Sequence, residues 1–223
     1  SGPMGLARSL ERRLERLADG ISAAVFRGRM HPVDLANRLV RQADLMVQEL
    51  PAGPGIPNRF EVSVNDHDLD PSIDIAALTT ELSNTVSETA AERGWMIQGP
   101  IQVHMTTDPN VGRGSIRCSA EAEPGQLHPW AELAEHRGDR SFSIGDNRAL
   151  VGRAGDATIK LEDPEVSRHH AVIYRQAEAI WILDLQSANG TTVNGRNVTS
   201  EPVLIGSGDM LSFGPATFAL RVL

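Results

Sequence analysis

The sequence predicts two domains of different class: an α+β domain with helices on a small sheet, then an all-β sandwich. Three observations carry that reading. Apolar residues recur at three- and four-residue intervals from residue 5 to about residue 48, the period of helices buried on one side. From about residue 130 the pattern changes to short runs of strand-forming residues with turn residues between them. Between the halves, Glu123-Pro124-Gly125-Gln126 reads as a boundary.

In the first half, Leu6, Leu10, Leu14, Leu17 and Ile21 form one amphipathic set. Val33, Leu35, Ala36, Leu39 and Val40 form a second. Gly28 and the His31-Pro32 step separate them, and Pro32 suits a first helical turn, where an N–H has no partner to lose. Pro51-Ala52-Gly53-Pro54-Gly55 predicts a loop. Phe60, Val62 and Val64 alternate with polar residues as a strand does. Ile75, Leu78, Leu82, Val86 and Ala90 predict a long helix stopping near Gly94. Strands over residues 101–105 and 115–120 then flank a turn containing Asp108-Pro109-Asn110. The order α-α-β-α-β-β gives the α+β class.

In the second half, strands are expected over residues 141–144, 149–151, 158–161, 170–174 and 180–185, and onward to residue 223. Regular short strands separated by turn residues predict a sandwich or barrel. Residues 1–4 read as an expression remnant and start, 5–122 as the first domain, 123–128 as a short linker and 129–223 as the second domain. A linker this short restricts domain motion.

Composition narrows the function. With 40% hydrophobic residues in 223, the chain fills true cores. A net charge of −8 argues against a general nucleic-acid or bilayer binder, whose affinity comes from neutralising phosphates. Lys160 is the one lysine among 21 basic residues, a bias that points to a GC-rich coding sequence rather than to an activity. The single cysteine, Cys118, excludes an intramolecular disulfide and fits a reducing compartment. It sits in an alternating run, where a small buried strand residue is expected rather than a nucleophile. No apolar run approaches the roughly 18 residues of a membrane span, and no signal peptide is present, so a cytoplasmic location is expected. Without a glycine-rich nucleotide loop, nucleophile elbow or metal-ligand cluster, neither enzymatic activity nor a cofactor or metal is expected.

One constellation carries chemistry: Gly152-Arg153, Ser167-Arg168-His169-His170, Asn189-Gly190-Thr191 and Asn194-Gly195, each at a turn between predicted strands. Gly152 can take backbone angles closed to other residues and leaves room for a ligand. Arg153 offers a planar fork that matches two phosphate oxygens. Ser167 offers a hydroxyl donor, and Arg168 a charge and a backbone N–H. His170, at a strand start, can brace the loop through its ring. Asn189 can hold a peptide backbone through both ends of its amide, while Gly190 and Gly195 permit the turns that display Asn189 and Asn194. Adjacent strand residues face opposite ways, which disfavours a metal pair at His169 and His170. Such a set holds a phosphorylated residue without cutting it.

Residues 129–223 resemble a forkhead-associated (FHA) domain closely, through Val151-Gly152-Arg153, Val166-Ser167-Arg168-His169-His170 and the run from Asp184 to Gly195. The resemblance implies an eleven-strand β-sandwich that binds phosphothreonine peptides. It implies phosphate contacts from Arg153, Ser167 and Arg168 and a grip by Asn189 on the ligand backbone. Gly152, His170, Gly190, Thr191, Asn194 and Gly195 would support the loops. Family members often carry threonine before this Asn-Gly; here Ala188 stands there, so Ser187 or backbone must substitute. A lost hydrogen bond to a charged group costs about 1.5–3 kcal/mol. Glu165 lies in an acidic turn, and the functional reading gives it the role of repelling acidic residues that follow the phosphothreonine.

Residues 5–122 resemble the N-terminal domain of FhaA-type proteins of actinobacteria, through the Arg/Leu-rich start, Arg38-Leu39-Val40-Arg41 and Glu92-Arg93-Gly94-Trp95. That resemblance implies a non-catalytic adaptor in Ser/Thr-kinase signalling that regulates cell-wall (peptidoglycan) synthesis and division. Its implied partners are threonine-phosphorylated proteins: kinases, a phosphorylated cell-wall regulator or a flippase pseudokinase, which would recruit it to the inner face of the membrane. The alternative is a nucleic-acid-binding or dimerising scaffold built on a KH-like first domain, with the FHA domain for targeting. Residues 1–123 carry 12 basic against 17 acidic residues and, apart from the start, no Gly-x-x-Gly loop with basic flanks, which disfavours nucleic acid. Arg8, Arg12 and Arg16 form a helical stripe that reads as a solvated face, with Glu11 and Glu15 interleaved. Thr106 and Thr107 read as residues of an exposed turn open to a kinase.

Overall fold

The computed structural model describes residues 32–69, 73–176 and 178–223. The first predicted helix, with Arg8, Arg12 and Arg16, lies outside the described residues. The chain divides into two compact units. The described residues of the first are 32–48, 56–69, 73–92 and 97–125; the second joins residues 49–55 and 93–96 to residues 126–223.

Along the first part of the chain run α1 (Pro32–Leu45), β1 (Gln48–Leu50), β2 (Gly53–Gly55), β3 (Arg59–Val64), α2 (Ile75–Arg93), β4 (Gln102–Thr107) and β5 (Ile116–Glu121). α1 buries Leu35, Ala36, Leu39, Val40 and Ala43, the face its period marks out. It ends three residues short of the expected position, because β1 begins at Gln48. The segment expected as a loop is a hairpin: β1 and β2 pair around Pro51-Ala52, with Gly53 at a φ of 117°. Proline and glycine did not prevent the pairing because the hairpin finds a partner further along the chain. The Met96 N–H donates to the Pro54 carbonyl at 2.7 Å, and Gly55 bridges Met96.

α2 buries Leu78, Leu82, Val86 and Ala90, while Ile75 is 41% exposed at its first turn. Thr85 and Thr89 are buried too, which a helix tolerates because their hydroxyls return to the carbonyls of Glu81 and Thr85 at 2.9 and 2.7 Å. Gly94 stops the helix at a φ of 66°, the left-handed residue that commonly follows a helix C-terminus. In the three-stranded sheet β3 is central, parallel to β4 and antiparallel to β5. Phe60, Val62 and Val64 supply its buried face. Cys118 lies opposite Val62, and burial pushes its thiol up to about 11, out of the range of a nucleophile. Thr106 and Thr107 are exposed but end β4 rather than occupy the turn; the turn begins at Asp108, whose carboxylate accepts the Asn110 N–H at 2.8 Å.

The second unit carries a sandwich of eleven strands among its described residues. They are β6 (Ala131–Glu135), β7 (Ser141–Ile144), β8 (Arg148–Gly152), β9 (Ile159–Lys160), β10 (Ala171–Gln176), β11 (Ala179–Asp184), β12 (Thr191–Val193), β13 (Arg196–Asn197), β14 (Val203–Ile205), β15 (Met210–Phe213) and β16 (Ala216–Val222). One sheet has the order β14-β11-β10-β8-β9, the other β13-β12-β15-β16-β6-β7. Leu133, Ile144, Val151, Ile173, Ile182, Phe213 and Phe218 fill the space between them. Register places the site. Ala171, the first residue of β10, lies opposite Val151 near the end of β8 and Asp184 at the end of β11. The loops after β8, before β10 and after β11 therefore meet at one end of the sandwich.

Candidate functional site

Gly152 closes β8 and is not among the glycines with a positive φ, so its need for glycine is steric. A Cβ there would overlap the Arg168 carbonyl oxygen and stand 2.9 Å from the carbonyl carbon. The room left by glycine is filled by the backbone of the neighbouring loop. The next two N–H groups fasten that loop: Arg153 donates to the Ser167 carbonyl and Ala154 to the Arg168 carbonyl, each at 3.1 Å.

His170 lies immediately before β10 and is completely buried. Its Nδ1 accepts the Ser167 N–H at 3.0 Å, so the ring proton belongs on Nε2, which donates to the Gly190 carbonyl at 3.0 Å. One ring thus joins the loop of Ser167 to the loop of Asn189, and Phe213 packs edge-on against it at 5.8 Å. Burial lowers the imidazole below the ordinary histidine value, outweighing the opposing pull of the Gly190 carbonyl and the Asp184 carboxylate.

Ser167 shows how Ala188 is accommodated. The Ala188 N–H donates to the Ser167 hydroxyl oxygen at 2.9 Å. Among the described residues the hydroxyl donates to no acceptor, so its proton is available to an outside one. Backbone, rather than a threonine hydroxyl, connects this position to the site. Ser187 does something else: its hydroxyl donates to Asp184 at 2.6 Å, and its N–H to the same carboxylate at 3.0 Å. The buried Thr191 hydroxyl also donates to Asp184, at 2.6 Å. Burial alone would raise Asp184, but these hydrogen bonds win and hold it below the ordinary carboxylate value. In the sequence Asp184 stands out only as the first residue of a motif. Its use as the anchor of the 185–190 loop was signalled by two hydroxyl residues three and seven positions downstream.

Arg153 and Arg168 are exposed, and neither guanidinium makes an ion pair or hydrogen bond among the described residues. Asn189 donates from Nδ2 to the Glu165 carbonyl at 2.8 Å. Glu165 is exposed beside it, its N–H held by Asp163 at 2.8 Å. His169 faces away from His170, with Nε2 3.0 Å from Asp156. Among the described residues no group of histidine, cysteine and carboxylate side chains could hold a metal. Gly190 stands at a φ of 76°, where a left-handed turn needs glycine, and its carbonyl also accepts the Gly214 N–H. Asn194-Gly195 lies at the other end of β12. Asn194 donates to Asp209 at 2.8 Å and accepts the Met210 N–H at 2.9 Å, so both ends of its amide are in use.

Two family models match the chain. The family model for the FhaA N-terminal domain matches residues 7–119. The chain belongs to the FhaA N-terminal-domain family. The model for the FHA domain matches residues 149–214, which include every residue of the constellation. The FHA domain-containing protein FhaA of Mycobacterium tuberculosis is 31% identical over 83 residues, 37% of this chain. FhaB of Mycolicibacterium smegmatis is 31% identical over 80 residues, 36% of this chain. The chain spans 15% of the length of the first and 51% of the second. A crystal structure of the FhaA FHA domain complexed with the intracellular domain of Rv3910 is 29% identical, with a TM-score of 0.38 over 41% of this chain and 99% of that one. Neither family model describes a catalytic domain.

Proposed function

We propose that this chain is a non-catalytic phosphothreonine-peptide-binding adaptor in bacterial Ser/Thr-kinase signalling, serving cell-wall synthesis and division. One observation carries the reading. Arg153, Ser167, Arg168 and Asn189 gather on one end of the sandwich, on loops joined by the His170 ring and the Ala188-to-Ser167 hydrogen bond. Two exposed guanidiniums that make no hydrogen bond among the described residues, and a hydroxyl that donates to none of them, suit a dianionic phosphate, because charge-assisted hydrogen bonds are the strong ones. Among the described residues no base orients Ser167 for attack: the His170 ring accepts from the Ser167 N–H, not from its hydroxyl.

In this reading residues 129–223 are the reader, residues 5–122 the FhaA-type domain, and 123–128 the linker. Asn189 holds the ligand backbone through its carbonyl oxygen, and Glu165 beside it disfavours acidic residues after the phosphothreonine. Ser187, tied to Asp184, supports the loop and leaves the phosphate to Ser167 and the arginines. The partners are threonine-phosphorylated proteins, a kinase or a phosphorylated cell-wall regulator or flippase pseudokinase. No described helix is long and apolar enough to cross a membrane, and such a partner would bring the chain to the membrane's inner face.

The test is a phosphothreonine peptide library, read by polarisation beside unphosphorylated and phosphoserine versions and the Arg153→Ala variant. Phosphothreonine-selective binding that Arg153→Ala abolishes supports the reading. Binding indifferent to the phosphate, or to Arg153, overturns it. A library that selects aspartate or glutamate after the phosphothreonine overturns the part given to Glu165.

A further inference from the structure

An antiparallel sheet usually keeps one face for solvent. In the five-stranded sheet, antiparallel except where β9 joins β8, the strands β8, β10 and β11 do not. Ala149, Val151, Ile173 and Ile182 point into the sandwich core, while Leu150, Val172 and Tyr174 are buried on the opposite face. Trp181, Leu183 and Leu185 pack with them, as does Ala157 from the loop that follows Arg153. What covers this outer face comes from residues 49–55 and 93–96, through Ala52 and Met96.

Polar contacts lock the cover down. The Arg148 guanidinium lies 4.3 Å over the Tyr174 ring, donates from Nε to the Ala52 carbonyl, and donates from Nη1 to the Gly94 carbonyl at 3.0 Å. Asn147 donates to the Trp95 carbonyl beside it. Burial lowers the Arg148 pKa, with Tyr174 and Glu49 opposing, and the group stays charged at any working pH. A Cβ on Gly53 would stand 2.5 Å from Arg148 Nε, so the hairpin is fitted to that side chain. The three strands beneath the cover are the ones whose ends carry the site. β8 runs into Arg153, β10 follows His170, and β11 ends at Asp184, the anchor of the Asn189 loop. Leu185, under the same cover, donates its N–H to the His170 carbonyl at 2.9 Å.

We propose that residues 49–55 and 93–96 form a strap that positions the phosphothreonine-binding loops, with Arg148 as the positioning residue. The functional reader is then residues 126–223 together with the strap. Both faces of the sheet are needed to fix where the loops stand, and positioning within about 1 Å is what an oriented charge cluster depends on. This rests on the phosphothreonine reading. By linkage, a ligand that selects the positioned loops also tightens the strap.

The experiment uses the whole chain and one phosphothreonine peptide that binds the wild type. Arg148→Met keeps the apolar stem and removes every donor. Arg175→Met, which removes a guanidinium stacked 5.2 Å over Trp130, is the control. We expect Arg148→Met to lower affinity at least five-fold and to speed amide exchange at Arg153, Ala154 and Ala188. Arg175→Met should stay within two-fold. In the wild type, saturating peptide should slow exchange at the Met96 amide. Affinity within two-fold for Arg148→Met, with exchange at residues 49–55 and 93–96 raised, would overturn the strap. Should Arg148→Met not fold, Arg148→Lys is read by the same thresholds. A wild type that binds no phosphothreonine peptide would sink the functional reading itself, and the exchange at Arg153 and Ala188 would still decide whether the strap positions those loops.

Discussion

Asn189-Gly190 and Asn194-Gly195 stand at opposite ends of the three-residue strand β12, with both glycines at a φ of 76°. As sequence they are the same dipeptide. In the fold Asn194 is itself left-handed, at a φ of 51°, and both ends of its amide bind Asp209 and Met210. Asn189 uses its donor on the Glu165 carbonyl, and among the described residues nothing donates to its oxygen. A side chain whose polar groups are all satisfied within the fold builds structure. One left exposed with an unused acceptor, at the same end of the sandwich as two exposed arginines, can hold a ligand.

The contrast can be broken most forcefully at Arg153, on the ligand side. Arg153→Ala should lower phosphopeptide affinity by about 2–5 kcal/mol, the range for truncating one partner of a charged contact, with no measurable change in thermal stability. Calorimetry and a melting curve check both halves. On the structural side, Gly152→Ala should destabilise the fold by about 1–3 kcal/mol in a denaturant titration, as an overpacked site does, because the Arg168 carbonyl must move away. Asn194→Ala should cost about 1–2 kcal/mol of stability and leave affinity intact. Asn189→Ala should show the opposite pattern, with about 1 kcal/mol or more lost in binding and little in stability.

The smallest effect is set by pH. Burial depresses His170, so the unfolded chain takes the proton first as pH falls through the ordinary value of 6.5. The unfolded state then binds more protons than the folded one. The His170 contribution is therefore whole above that value and lost progressively below it, down to the folded-state pKa. Asp184, also depressed, adds its own loss only below its ordinary value of 3.8. Melting temperatures between pH 7.5 and 5 should fall in the wild type. In a folded His170→Gln variant the decline over that window should be shallower.

Much of the site was legible because its chemistry sits in contiguous motifs at turns. Arg153, Ser167, His170 and Asn189 could each be placed at a strand end from local pattern alone, and register then brings the ends together. Three features were hidden, for physical reasons. The reason for Gly152 is a carbonyl sixteen residues downstream, which no local pattern records. Ser187 reads as a free hydroxyl until Asp184 is known to face it. The hairpin at residues 48–55 is made of residues that argue for a loop, and its pairing is completed by Met96, forty-one residues beyond Gly55. The uninterrupted apolar runs Ala149-Leu150-Val151, Ala171-Val172-Ile173-Tyr174 and Ile180-Trp181-Ile182-Leu183 were the available signal that β8, β10 and β11 are covered on both faces. In α2 the apolar spacing gave the buried face correctly, apart from Ile75, which lies in the first turn where the helix is open to solvent.

The most direct measurement is a titration of the isotopically labelled chain with a phosphothreonine peptide, followed residue by residue through backbone amide shifts. Saturable shifts are expected at Arg153, Ser167, Arg168 and Asn189, with Asn194 and Gly195 unmoved and the unphosphorylated peptide without effect. Shifts that centre on Asn194-Gly195, or that appear equally without the phosphate, would contradict the phosphothreonine reading.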